Sequence, residues 1–191
     1  MNNDGVKDLV APLSEDASYG GKFDPGKMVY QWNAFDPQSP NFGKATPWVA
    51  AANGPVSFFE SPTSFNNSVF IDGGSDKGYF KLGYTRSNDK GILANSKIDK
   101  DVANLSATYN LTDKLTAGAS IDFTRTRGLG RFGTGYDDKN LATNFRQWWQ
   151  VNVDLKEQKE AYMRNKQNVT WNFADPSDLV PIYWDNPYFT R

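Results

Sequence analysis

Asp101-Val-Ala-Asn-Leu-Ser-Ala-Thr-Tyr-Asn110, Leu111-Thr-Asp-Lys114 and Leu115-Thr-Ala-Gly-Ala-Ser-Ile-Asp-Phe-Thr124 decide the fold. In the first run Ala103, Leu105, Ala107 and Tyr109 alternate with Asn104, Ser106, Thr108 and Asn110. In the last, Leu115, Ala117, Ala119, Ile121 and Phe123 alternate with Thr116, Gly118, Ser120, Asp122 and Thr124. Side chains on a strand point alternately to its two faces, so a period of two predicts two strands joined by a short turn. One face is thinly apolar and the other uniformly polar.

Two similar runs precede this hairpin. Ser64–Gly73 sets Phe65, Val69 and Ile71 against Asn66, Ser68 and Asp72, with Phe70 breaking the polar face. Gly78–Arg86 sets Phe80, Leu82 and Tyr84 against Tyr79, Lys81, Gly83 and Thr85. Each run, like Asp101–Asn110 and Leu115–Thr126, is about as long as a tilted strand needs to cross a hydrocarbon layer. The expected fold is all-β with a few loop helices, its antiparallel strands suited to the wall of an outer-membrane β-barrel. In such a barrel one face meets lipid and the other a wet lumen. The connectors alternate: Gly73–Lys77 short, Ser87–Lys100 longer, Leu111–Lys114 short, and the segment after the last strand very long. Short turns mark the periplasmic side of outer-membrane barrels, which orients these strands.

Composition narrows the function. The 191 residues have a mean hydropathy of -0.66 and 38% hydrophobic residues, low for a self-sufficient globular core, yet 15% are aromatic. The net charge of -1 supplies no basic excess for a phosphate backbone, so no nucleic-acid partner is expected. With no Cys and no His, disulfides and thiolate or imidazole metal sites are excluded, as are Cys/His and Ser/His/Asp catalysis. No cofactor, metal or catalytic residue is expected. No run is apolar and long enough for a transmembrane helix, and the N-terminus lacks the apolar stretch of a signal peptide.

The chain divides into four stretches. Residues 1–63 read as a Pro/Gly/aromatic-rich loop segment leading into the barrel. It carries Phe23-Asp-Pro-Gly26, Phe35-Asp-Pro-Gln-Ser-Pro40, Thr46-Pro-Trp48 and Asn53-Gly-Pro55, with room for a short strand or two. Residues 64–126 hold the four strands. Residues 127–186 form a long extracellular loop with two short helices. The first helix is predicted over 138–150, with Leu141, Phe145 and Trp148 packed inward and Lys139, Asn140 and Asn144 wet. The second opens at Asp154 with Glu157 three residues on, a pattern like a capping box. Residues 187–191 begin the next strand.

Sharper motifs have plainer readings. Gly128-Leu-Gly-Arg-Phe-Gly133 matches a dinucleotide fingerprint, but the strand before it is amphipathic and Gly135 delays any helix, so it reads as a loop base. Asp72 and Asp76 flank a turn and lack the further carboxylates of a calcium loop. Asp137, Asp138, Asp154 and Glu157 read as charges at helix N-termini. Trp148, Trp149 and Trp184 are the candidate ligand or partner contacts, with Trp171 nearby; these rings could stack on sugars or pack loop helices and an interfacial girdle.

Taken together, the motifs resemble the SusC/RagA family of TonB-linked outer-membrane transporters. The resemblance rests on Asn67-Ser-Val-Phe-Ile-Asp-Gly-Gly74, Lys81-Leu-Gly-Tyr-Thr85, Lys90-Gly-Ile-Leu-Ala-Asn-Ser96 and Leu111-Thr-Asp-Lys-Leu115. Gly133-Thr-Gly-Tyr-Asp137, Phe145-Arg-Gln-Trp148 and Tyr183-Trp-Asp-Asn-Pro-Tyr188 follow in order. It implies a barrel-region fragment of a nutrient transporter in the bacterial outer membrane, its antiparallel strands coming from the N-terminal part of a large transmembrane β-barrel, importing glycans or peptides, and not an enzyme. The implied partners are a SusD-like surface lipoprotein, TonB through regions outside these residues, an oligosaccharide or peptide substrate, and outer-membrane lipid. The alternative is a soluble carbohydrate-binding β-sandwich, whose inner face should carry large aliphatics where this chain is Ala-rich. A secreted hydrolase would need a carboxylate pair, and only Asp122 stands on a strand face of the best hairpin.

Overall fold

The computed structural model describes residues 5, 7–13, 20–130, 133–136, 140–172 and 186–190, the side chain of Gln147 excepted. They form two compact units: Glu60–Arg131, and a unit made jointly by Met1–Phe59 and Phe132–Arg191. Antiparallel β-sheet dominates, with few helices.

The Glu60–Arg131 unit is a four-stranded meander. Counting strands from the N-terminus, its members are β3 (Thr63–Ser75), β4 (Gly78–Lys90), β5 (Lys97–Thr112) and β6 (Leu115–Leu129), paired in that order. The expected consecutive antiparallel pairing is present, but every strand is longer than predicted. The connector expected over 87–100 shrinks to 91–96, because the ladder continues through Arg86↔Asp101, Asn88↔Asp99 and Lys90↔Lys97. Apart from Ile98 the added residues are polar, so that extension has no alternating hydrophobic signature. Gly73–Ser75, expected in a turn, likewise pair with Gly78–Phe80, leaving Asp76 and Lys77 as the turn.

Register sets side chains into rows across the sheet. Ile71, Leu82, Leu105 and Ile121 share one row; Val69, Tyr84, Ala103 and Phe123 the next. On the opposite face Asp72, Lys81, Ser106 and Ser120 align, and Asn104 pairs with Asp122 and donates its amide to that carboxylate. Phe70, the apparent break in the polar face, lies beside Gly83: a Cβ there would meet its ring at 2.9 Å. Large rings laid over cross-strand glycines are one device that holds a sheet without a second layer.

Connector 91–96 is tied by Gly91 N–H to the Ser96 carbonyl at 2.9 Å and by the Ser96 hydroxyl to the Leu93 carbonyl at 2.7 Å. Gly130 sits against it at φ 73°, where a Cβ would fall 2.4 Å from the Asn95 carbonyl oxygen. Positive φ and close approach both call for glycine there. Gly128 lies in an antiparallel strand, residues 133–136 are not helical, and the next helix opens at Leu141. Gly128, Gly130 and Gly133 therefore have strand and loop geometry.

The second unit brings distant stretches together. β1 (Asp24–Val29) pairs antiparallel with β2 (Thr46–Trp48), and short 3-10 turns occupy Trp32–Ala34 and Pro55–Phe58. From the later stretch come α1 (Leu141–Thr143), a π-helical turn at Asn144–Trp148, and α2 (Leu155–Asn165). Ala51 N–H donates to the Val151 carbonyl and Leu155 N–H to the Asn53 carbonyl, both at 2.9 Å. Trp32, Leu141, Val153, Leu155, Ala161 and Trp171 are fully or almost fully buried. Thus residues 1–63 are more than a lead-in: most of them fold with the stretch read as a long loop. Where 187–191 was expected to start a strand, α3 (Pro187–Thr190) forms one helical turn. Asn186 caps it by accepting from Tyr188 N–H at 2.9 Å, and proline suits a first helical position.

Candidate functional site

The candidate tryptophans fall in the jointly built unit. Trp149 is only 4% exposed. Its ring meets Phe145 edge-on at 5.2 Å and Trp171 at 5.9 Å, and its indole N–H donates to the Val153 carbonyl at 3.2 Å. Phe58 extends this stack, 5.3 Å from Phe145 and 5.1 Å from Tyr188. Trp149 and Trp171 therefore occupy packing positions. Trp148 is half-buried and meets the exposed Tyr136 at 6.0 Å, so it keeps more of its ring toward solvent. Trp184, with Asp137 and Asp138, lies outside the described residues.

Of the helix predicted over 138–150, Leu141–Trp148 are helical, as α1 plus the π-turn; Asp138 and Lys139 lie outside the described residues, and Trp149 and Gln150 are not helical. Leu141 is buried as expected, but Asn144, expected wet, is 4% exposed. Three residues after Leu141, it falls on the same helical face. Asn140 caps α1 through its side-chain oxygen to Thr143 N–H.

Asp154 caps α2, accepting from Lys156 N–H at 2.8 Å and Glu157 N–H at 3.4 Å. Glu157 accepts from the Asn33 amide at 2.9 Å, a partner 124 positions away. Burial, reinforced by the charge of Asp154, holds the Glu157 carboxyl above its ordinary range, against the lowering effect of the Asn33 hydrogen bond. Burial and Asp154 also raise the Tyr188 phenol. Arg164 pairs with the buried Asp36 at 2.7 Å. These groups serve as ties between chain segments.

Sequence reading missed several buried polar residues here. Gln158, Thr170, Asn172 and Asn186 are all 0% exposed. Asn186 donates to the carbonyls of Gln158 and Val169 at 2.7 and 2.9 Å, while its backbone N–H meets the Asn168 side chain. The only hint was Asn186 before a proline, which signals a turn but not this role.

The sheet supplies a second candidate surface. Val69, Ile71, Phe80, Leu82, Ile121 and Phe123 are 40–61% exposed on one face. Contiguous apolar exposure on this scale marks an interaction surface. Among the described residues, no helix is long and apolar enough to cross a membrane, which says nothing of a β-barrel. No protein-family model matches this sequence, and no curated protein matches it.

Proposed function

We propose that this chain forms wall and outer loops of a SusC/RagA-type, TonB-linked β-barrel that imports oligosaccharides or peptides across the bacterial outer membrane. The single observation that carries this reading is the exposed apolar face of four long antiparallel strands, continuous from Val69 and Ile71 through Leu82 and Leu105 to Ile121 and Phe123. A lipid-facing wall needs such a face, backed by a polar one. The two-residue turns Asp76–Lys77 and Asp113–Lys114 at one end, against connector 91–96 at the other, agree with the barrel pattern. The free edges of β3 and β6 would pair with further strands, since open edges are not tolerated in hydrocarbon. A SusD-like lipoprotein and the substrate would meet the long-connector end of the strands. TonB would act through regions outside these residues.

A nitroxide at position 121 of the membrane-embedded protein tests the reading. Quenching by dissolved oxygen should exceed quenching by a water-soluble nickel complex. The reverse order would count against a lipid-facing wall, and protection from both would favour the inner face of a sandwich.

A further inference from the structure

We infer that the long-connector end of the apolar face binds the anionic, phosphate-bearing headgroups of the adjoining lipid leaflet. This rests on the membrane-wall reading above. The strands run 13 to 16 residues, against the roughly 9–11 a tilted strand needs to cross hydrocarbon. The surplus is charged. Two residues beyond the Val69–Tyr84–Ala103–Phe123 row comes Asn67–Arg86–Asp101–Arg125, then Phe65–Asn88–Asp99–Arg127, then Thr63–Lys90–Lys97–Leu129. These rows extend about 13 Å along the strands, at two residues per row.

Five cations on these rows, Arg86, Lys90, Lys97, Arg125 and Arg127, stand against Asp99, Asp101 and the nearby Glu60. Arg86 pairs with Asp101 at 3.1 Å, Lys97 with Asp99 at 3.6 Å and Lys90 with Glu60 at 2.6 Å. Arg125 and Arg127, exposed on β6, carry the excess. The opposite end has no such imbalance, since its turns hold Asp76 with Lys77 and Asp113 with Lys114. Tyr84 marks the border: its ring belongs to the apolar row, while its hydroxyl donates to Asp101 at 2.7 Å. An aromatic with its polar tip toward charge is the arrangement found at membrane interfaces. Each unpaired cation held at an anionic surface strengthens binding roughly fivefold.

The 191-residue chain is floated with vesicles of phosphatidylcholine alone and of phosphatidylcholine mixed with an equal amount of phosphatidylglycerol. Wild type should bind both and prefer the anionic vesicles. Arg125→Gln with Arg127→Gln should cut binding to anionic vesicles by roughly 25-fold, about fivefold per cation, and leave neutral binding unchanged. Arg125→Lys with Arg127→Lys should retain the preference, and far-UV circular dichroism should show equal strand content throughout. Ile121→Arg should weaken binding to both vesicle types. Equal binding of wild type to both vesicles, or a preference unaltered by the Gln pair, overturns the headgroup inference and leaves the wall reading intact. Wild type that binds neither vesicle also overturns the headgroup inference, while the wall reading stands or falls on the nitroxide at position 121.

Discussion

Asn53 gives both its backbone N–H and its side-chain amide to the carboxylate of Asp154, at 3.0 and 2.9 Å, across 101 positions of sequence. The same carboxylate caps α2, so one side chain starts a helix and joins two distant stretches. Asp154→Ala removes the cap and strands the Asn53 donors. It should cost about 2 kcal/mol, the upper end for a lost cap. Asn53→Ala should cost about 1 kcal/mol, and the double change should cost less than the sum because the residues share their interaction. Denaturant unfolding followed by tryptophan fluorescence reads all three; strict additivity would show that the pair is not coupled.

Glu157 gives a pH dependence of definite sign. Its folded-state pKa is raised above the ordinary 4.5, first by burial and then by Asp154. The folded protein therefore holds this proton more tightly than the unfolded chain. Stability falls as pH rises from the ordinary carboxylate value through the raised one, and stays lower above it. Glu157→Gln keeps an acceptor for Asn33 and removes the charge. It should raise Tm at neutral pH and flatten Tm against pH over the mildly acidic range. A lower Tm at neutral pH, with the pH profile unchanged, would contradict this account.

Phe70 and Gly83 should behave as a unit. Phe70→Ala uncovers the buried glycine and should cost up to about 1 kcal/mol, the range of a cross-strand pair. Gly83→Val drives a branched side chain into the ring and should cost about 1–3 kcal/mol. In the Phe70→Ala background the Gly83→Val penalty should shrink, which urea midpoints of single and double variants would reveal. An undiminished penalty would locate the strain in the backbone.

These pairs also show why some of the structure was legible in the sequence. Hydrophobic alternation marked all four strands of the meander because Leu82, Leu105 and Ile121 share a row. The strand extension around Asn88↔Asp99 carried only polar residues apart from Ile98, and period-two reading has nothing to register there. The Asp154 cap was visible because a cap is local. Its partner Asn53, the Asn33–Glu157 bond and the Asp36–Arg164 pair are long-range, and one sequence contains no signal for them. Of the candidate tryptophans, neighbouring positions 148 and 149 could not be ranked from spacing, since both fall near the apolar helical face.

The structure separates them. Trp149→Ala should cost about 3–5 kcal/mol, as truncation of a buried large ring does, and should lower the folded yield. Trp148→Ala, at a half-buried position, should leave folding near wild type. If the exposed part of Trp148 stacks on a sugar, the variant should lose the fluorescence response to oligosaccharide while keeping its circular dichroism. An unchanged response in a folded Trp148→Ala variant removes that residue from ligand contact.

The final prediction sets the two faces of β6 against each other at adjacent positions. Ile121 is paired with Leu105 and 59% exposed on the apolar face; Ser120 is paired with Ser106 on the polar face. Arginine in place of a lipid-facing residue costs about 2–4 kcal/mol at the bilayer midplane and falls toward zero at the interface. Ile121→Arg should therefore destabilise the membrane-embedded protein by that amount, while Ser120→Arg, on a wet face, should change stability by less than about 0.5 kcal/mol. Urea unfolding in lipid measures both. A water-exposed apolar face would tolerate both substitutions, and a face buried against a second sheet would reject Ile121→Arg in detergent-free buffer as strongly as in lipid. Only a lipid-facing wall makes the penalty depend on depth, so Arg at Phe123 or Ala119 should give values that vary with distance from the midplane.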